Sequence, residues 1–379
     1  MPLSIDTSPE IEDLIRANAA VVTGVSGGKD SQASALAVMS HLDRVGHTGA
    51  RLLIHADLGM VEWRESLPAC ETLASHLGLE LAVVRRPAGG LMERWEARWE
   101  SSKRRYAALE TVTLVLPWST PSMRFCTSEL KTQVIGAELR RRFRGQHVVS
   151  VTGIRREESS ARAKASIASI DPRLSRPGAE VWNWRPILGW RAEQVRAYIA
   201  ERGLDMHRAY RDFGMSRVSC AFCIMSNAGD LYASTSNPAH RELYRRMVEM
   251  EIASTFAFQG NRWLGDIAPD LLIESERAGL FLAKQRAAQR MQAEHEIPRH
   301  MLYACGWPTG MPSQSEAALL ASVRRKVGEI VGIPVNYTDA ASIRARYEEL
   351  MQEHTDREIT RRKLRHNNHG GSTETSTHG

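Results

Sequence analysis

Short, nearly continuous apolar runs alternate along the first half of the chain with longer segments whose apolar residues recur every three to four positions. Residues 19–25 (Ala-Ala-Val-Val-Thr-Gly-Val) form one such run and read as a strand buried on both faces. The spacing predicts a short helix before it over 10–18 and a longer one after it over 31–42. Further strands are predicted over 51–56, 79–84 and 147–152. Further helices are predicted over 62–77, 90–109 and 127–143, with a Pro/Ser/Thr-rich loop at 117–122. Alternation of this kind predicts an α/β fold, a mostly parallel twisted sheet with helices on both faces.

Beyond Pro186 the pattern changes to helix and loop, with helices predicted over 191–202, 240–252, 271–295, 315–331 and 340–365. The expected organisation is an α/β domain over 1–235, a mainly helical C-terminal region over 236–365 and a disordered polar tail over 366–379. The histidines of that tail read as solvated residues.

Composition narrows the class. Hydrophobic residues make up 42% and charged residues 25%, enough apolar material for a globular core. No apolar run reaches the roughly 18 residues of a membrane span. The first residues lack a basic-then-apolar signal pattern, so a cytoplasmic protein is expected. The net charge of +6 favours anionic partners such as nucleotides or nucleic acid. Five cysteines, an odd count, argue against a disulfide scaffold and leave metal binding, redox chemistry or burial.

The chemistry gathers where strands end, the place where ligands bind on such sheets. Ser26-Gly27-Gly28-Lys29-Asp30-Ser31 leaves the first strand and enters a helix. Its glycines let successive N–H groups converge on an anion, and the helix start adds partial positive charge. Lys29 supplies a charge and Ser26 and Ser31 supply hydroxyls, while Asp30 either caps the helix or faces a metal. The spacing differs from G-x-x-x-x-G-K-[ST]. His55-Ala56-Asp57 ends the second strand, with Asp57 read as a ligand for Mg²⁺ or ribose or as a turn cap. Gly153-Ile154-Arg155 ends another; the planar fork of Arg155 suits a phosphate or sulfate. Arg162 lies two turns further on the same face, with Glu158 at ion-pair spacing from it. Cys220-x-x-Cys223 has the spacing that grips a metal ion or two corners of a cluster. Cys70, in an apolar helix, reads as a core residue.

Together these segments resemble the PP-loop of N-type ATP pyrophosphatases, and specifically the phosphoadenosine phosphosulfate (PAPS) reductase family. The resemblance covers roughly residues 15 to 235. It rests on the Ser26–Ser31 run, on Ile54-His55-Ala56-Asp57-Leu58-Gly59, and on Arg124-Phe125-Cys126-Thr127 with Lys131. It also rests on Gly153-Ile154-Arg155 with Glu158, Ser159 and Arg162, on Trp184-Arg185-Pro186-Ile187 with Trp190, and on the Cys220–Cys223 pair. It implies an adenine nucleotide alpha hydrolase-like fold. It also implies that an adenine nucleotide, ATP or PAPS, binds with Mg²⁺ to Ser26, Gly27, Gly28, Lys29, Asp30, Ser31, His55, Ala56, Asp57, Gly153, Arg155 and Arg162. Lys29, Asp30 and Arg155 are then the expected catalytic residues.

By the same resemblance Cys126 joins Cys220 and Cys223 in a [4Fe–4S] cluster, with Cys305 as candidate fourth ligand; zinc and free thiols are the alternatives. The chain departs from cluster-bearing reductases, because Phe125 and Thr127 flank Cys126 where they have a cysteine tandem. It also lacks the Glu-Cys-Gly-Leu motif of thiol-dependent reductases. Three functions follow. The first is ATP-dependent, adenylating sulfur transfer to an acceptor such as a tRNA base or the DNA backbone, with a sulfur-donor or complex partner protein. The second is reduction of PAPS or adenosine phosphosulfate to sulfite. The third is a non-catalytic nucleotide sensor with structural zinc. The basic runs Arg140-Arg141-Arg142 with Arg144, and Arg361-Arg362-Lys363-Leu364-Arg365, are candidate nucleic-acid contacts or exposed helix faces. The C-terminal third is left to nucleic-acid binding or to a homo-oligomer contact.

Overall fold

The computed structural model describes residues 3–369. Six strands form one sheet: β1 (Ala20–Gly24), β2 (Arg51–Asp57), β3 (Leu81–Arg85), β4 (Val148–Thr152), β5 (Ala168–Ile170) and β6 (Val181–Trp184). Their order is β3-β2-β1-β4-β6-β5, parallel throughout except for β5, which runs antiparallel to β6. The four predicted strands are present, and β5 and β6 are additions that the residue pattern did not reveal.

Helices α1 (Pro9–Arg16), α2 (Lys29–Arg44), α3 (Ser66–Leu77), α4 (Leu91–Ala107), α5 (Phe125–Thr127) and α6 (Gln133–Arg142) precede or connect the first four strands in the chain. The predicted helix over 127–143 is interrupted by a π-helical stretch, Ser128–Thr132, which carries Lys131.

The all-apolar β1 run is explained by burial on both faces. Ala20 and Val22 pack into a cluster with Leu52, Ile54 and Leu139, while Val21 packs on the other side with Val38, Leu42 and Trp184. β1 lies between β2 and β4, so chain connections leave it in opposite directions and open a crevice at the carboxyl ends of the strands.

The described chain divides into two compact units. The first comprises Met1–Trp95, Trp118–Met247 and Asn261–Leu272 and contains the sheet. The second comprises Glu96–Pro117, Val248–Gly260 and the residues from Ile273 onward. Its own core joins Tyr106 and Leu109 to Leu320, Val327 and Tyr347. Residues 96–117, which the sequence pattern left with the α/β domain, therefore belong with the helical unit. The last helix runs to His369, so the start of the expected tail is helical, and residues 370–379 lie outside the described residues. Among the described residues no helix is long and apolar enough to cross a membrane.

Candidate functional site

The loop after β1 is shaped by its glycines and closed by its serines. Gly27 sits at φ +71, where side chains are strained, and a Cβ there would also come within 3.0 Å of the Ser66 backbone. Ser31 Oγ donates to the Gly28 carbonyl at 2.9 Å and accepts from the Ser26 N–H at 3.2 Å, which folds the loop over the start of α2. At any helix start the first N–H groups lack helical partners, and here they face this loop. Gly153, at the end of β4, packs against the same turn. A Cβ on it would meet the Asp30 carbonyl oxygen at 2.4 Å.

A cavity of about 190 Å³ opens on the loop. Its walls include Ser26, Gly28, Asp30 and Ser31 of the loop, Gly153 and Arg162 from beyond β4, and Lys131 from the π-helical stretch. Arg217, Tyr210 and Cys220 complete it from the segment after β6. Arg162 is paired with Glu158 at i,i+4 spacing. The Tyr210 hydroxyl accepts N–H groups of Lys29 (3.3 Å) and Val218 (3.1 Å), so its own proton is left to donate. Burial pushes that phenol up to about 12, against the pull of the two N–H donors, so it stays neutral. Ser66, also in the wall, is 3.4 Å from His207 Nε2. His207 accepts from the Ala209 N–H through Nδ1, and burial lowers it to about 4, so Nε2 carries the proton offered to Ser66. Tyr210, Arg217 and Ser66 sit in no recognisable motif.

Two expected phosphate ligands occupy a different place. Arg155 is buried and does not line the cavity; its Nε donates to Asp30 Oδ1 at 2.6 Å, and its other arm meets Glu157. Lys29 is also buried, with Nζ 3.3 Å from Asp30 Oδ2 and 5.0 Å from the centre of the Tyr210 ring. Lys29, Asp30 and Arg155 thus form an ion triad beneath the loop. Lys131 and Arg217 pair with no acid among the described residues and stand in the cavity wall.

His55 is likewise buried and lies behind the cavity wall. Its Nδ1 is 3.0 Å from the Val25 carbonyl and its Nε2 3.1 Å from Glu62. Burial works to lower its pKa, but the contacts with Cys70 and Glu62 prevail and raise it to about 10. The imidazolium therefore holds Glu62 in the cavity wall. Ala56 is buried in β2. Asp57 accepts from the Gly59 N–H at 2.7 Å and pairs with Arg85, which makes it a turn cap. Asp57 and Glu62 also line a neighbouring cavity of about 240 Å³ with Trp63 and His240. On two of these residues, Trp63 Nε1 and His240 Nε2 are buried from solvent without hydrogen-bond partners.

The five cysteines form no disulfide among the described residues. Cys70 is buried in α3, as expected of a core residue. Burial foremost, then the neighbouring Cys223, pushes the Cys220 thiol up; Lys131 opposes this, while Glu62 and Cys126 add to it. Cys126 and Cys223 are thus each in electrostatic range of Cys220. Even so, no group of three His, Cys, Asp or Glu among the described residues is disposed to hold a metal ion. The thiols as placed do not fit a cluster or zinc, and Asp30 and Asp57, already engaged, do not fit a Mg²⁺ site. Cys305 belongs to the second unit, where it is exposed at φ +51 in a two-residue turn closed by Ala304 and Trp307.

A family model, the phosphoadenosine phosphosulfate reductase domain, matches residues 20–226, more than half of the chain. The chain belongs to this family, a PP-loop family of nucleotide-binding proteins. Among solved structures, 26 chains match. One is a phosphoadenylyl-sulfate (PAPS) reductase from Candida auris in a phosphate complex. It is 14% identical, with 57% of this chain and 98% of that one covered and a TM-score of 0.34. Another is an NH3-dependent NAD synthetase from Campylobacter jejuni subsp. jejuni in complex with the nitrate ion. It is 12% identical, with 76% and 92% covered and a TM-score of 0.32. No curated protein matches.

Proposed function

We propose that the chain is an ATP-dependent, adenylating sulfur transferase whose polyphosphate site is the cavity on the Ser26–Ser31 loop. The observation that carries this reading is the convergence of Lys131, Arg162 and Arg217 on one glycine loop at a helix start. Two cations without acid partners, Lys131 and Arg217, beside the Arg162–Glu158 pair and converging N–H groups suit a pyrophosphate more than a single sulfate. Adenosine is assigned to the adjoining cavity, which shares Glu62 with the polyphosphate site.

In this reading the loop N–H groups and the Tyr210 hydroxyl bind the β- and γ-phosphates, and Mg²⁺ arrives with the nucleotide. An acceptor oxygen attacks the α-phosphorus. The new O–P bond forms as the bond to pyrophosphate breaks, and Lys131 and Arg217 stabilise the charge that grows on the leaving group. A sulfur nucleophile then displaces AMP from the activated acceptor. Nucleic acid is the proposed acceptor, and a donor protein the proposed source of sulfur. The reductase reading needs a reactive thiolate. Against it stand the Cys220 thiol, which burial keeps protonated, and Cys305, which is held in a tight turn.

The test is product analysis of the purified protein, with ATP, Mg²⁺, sulfide and bulk tRNA or DNA on one side and PAPS with dithiothreitol on the other. Pyrophosphate and AMP from ATP, lost in Lys131→Ala, support the proposal. Sulfite from PAPS, lost in Cys220→Ser, with no pyrophosphate from ATP, establishes the reductase instead. Tight ATP binding with neither product establishes a sensor.

A further inference from the structure

The basic run at 140–144 contains two kinds of arginine. Arg141 is paired with Glu138 at 2.7 Å, and Arg142 with Glu138 at 2.5 Å and Glu80 at 2.6 Å, so both are neutralised within the fold. Arg140 and Arg144 are exposed and pair with no acid among the described residues. With Arg176 they rim a cavity of about 240 Å³ whose floor is apolar, made by Leu139, Phe143, Leu174 and Val181.

Local structure builds this pocket. Leu139 and Val181 belong to the core cluster on one face of the sheet, with Phe143 and Leu174 packed at its margin. Gly136 admits Leu174, since a Cβ there would lie 2.8 Å from Leu174 Cδ2. Arg176 stands on a tight turn in which Arg176 and Ala179 exchange backbone hydrogen bonds of 3.1 and 3.0 Å, with Gly178 at φ +74. The pocket precedes β4 and β6, at the amino ends of the strands, whereas the phosphate loop follows the carboxyl end of β1.

A nucleic-acid backbone offers phosphates and sugars but no apolar group to fill such a floor. A pocket of this size with an apolar floor accepts a single large side chain. Three guanidiniums without acids around it call for carboxylates on the occupant. We propose that the pocket docks an acidic segment of a partner protein, inserting one aromatic or large aliphatic side chain flanked on both sides by Asp or Glu. The site lies at the amino ends of the strands, away from the nucleotide cavity at their carboxyl ends, so a docked partner leaves that cavity open. The proposal stands whether the bound nucleotide is ATP or PAPS.

The test is fluorescence anisotropy of the full chain with a fluorescein-labelled peptide, Asp-Glu-Phe-Glu-Asp. Two analogues accompany it: one with Ala for Phe, one with Asn and Gln for the acids. Saturable binding is expected, weakened at least about 10-fold by either change in the peptide, by Arg140→Glu with Arg144→Glu, and by Ala179→Phe, which fills the pocket. ATP affinity, measured in the same variants, stays at the wild-type value and shows that they are folded. Equal binding of the Phe and Ala peptides, or no saturation below about 1 mM, overturns the proposal. So does a labelled single-stranded oligonucleotide that displaces the peptide and binds the Ala179→Phe variant as well as the wild type; this result assigns the arginines to phosphate.

Discussion

Arg155 Nε donates to Asp30 Oδ1 at 2.6 Å, joining the segment after β4 to the first turn of α2 across 125 positions of sequence. Asp30 also holds Lys29, so one carboxylate bridges two buried cations beneath the phosphate loop, and Glu157 meets the other arm of Arg155. Removing Arg155 takes a 2.6 Å charged hydrogen bond from Asp30 and the partner from Glu157, at a cost of about 3 kcal/mol. Arg155→Ala is therefore expected to lower unfolding free energy by about that amount in a urea titration, and to weaken ATP binding through loss of loop order. Arg155→Lys does not restore either, because a point charge cannot serve Asp30 and Glu157 from one planar fork. Weakened ATP binding with unchanged stability would instead make Arg155 a direct phosphate ligand.

Lys131 and Arg217 are the reverse case, cations in the cavity wall with no acid to neutralise them. Lys131→Ala and Arg217→Ala are each expected to raise the Kd for ATP about 10-fold in calorimetric titration. Unfolding free energy should stay within about 0.5 kcal/mol of wild type. Adenosine, which has no phosphate, should bind all three proteins alike.

This contrast marks what could be read from residues alone. The strand, glycine loop and helix were legible because a buried parallel strand has a dense apolar signature and a loop around an anion requires glycine. Membership of a nucleotide-binding family followed from the same segments. Strands β5 and β6 were not legible, since three and four residues are too short to display a period. Lys29 and Arg155 read as phosphate ligands because charge beside a glycine loop reads as charge for the ligand. Only folding shows that Asp30 consumes both. The signal available in advance was the nearby acid, Asp30 directly after Lys29 and Glu157 two positions after Arg155. Tyr210, Arg217 and Ser66 reach the cavity from segments without a motif, so no local pattern announced them.

Gly153 is required by contact rather than by backbone angle. Its absent Cβ would stand 2.4 Å from the Asp30 carbonyl oxygen and 2.9 Å from Ser31 Cα, both backbone atoms that cannot swing aside. Gly153→Ala is expected to push α2 away from β4, lower stability by about 1–3 kcal/mol as overpacking does, and weaken ATP binding. Gly310→Ala meets nothing within 4 Å and is the control, expected within about 0.5 kcal/mol of wild type. A Gly153→Ala protein with native stability and native ATP affinity would mean that the loop does not rest on β4 as described.

The two buried histidines of the site set opposite pH limits. His55 is raised to about 10 from 6.5, so the folded state keeps a proton that the unfolded chain has released. Its contribution to stability is complete below pH 6.5 and is lost as pH rises through about 10. His207 is lowered to about 4 from 6.5, so the unfolded chain takes up a proton that the folded state refuses. Its contribution is complete above pH 6.5 and is lost as pH falls toward about 4. Urea titrations across this range should give a stability that falls away on both sides of neutrality. His55→Gln should flatten the alkaline limb alone and His207→Gln the acid limb alone. If His55→Gln leaves the alkaline limb unchanged, His55 is neutral in the native protein, and Glu62 is held in the cavity wall by a hydrogen bond without an ion pair.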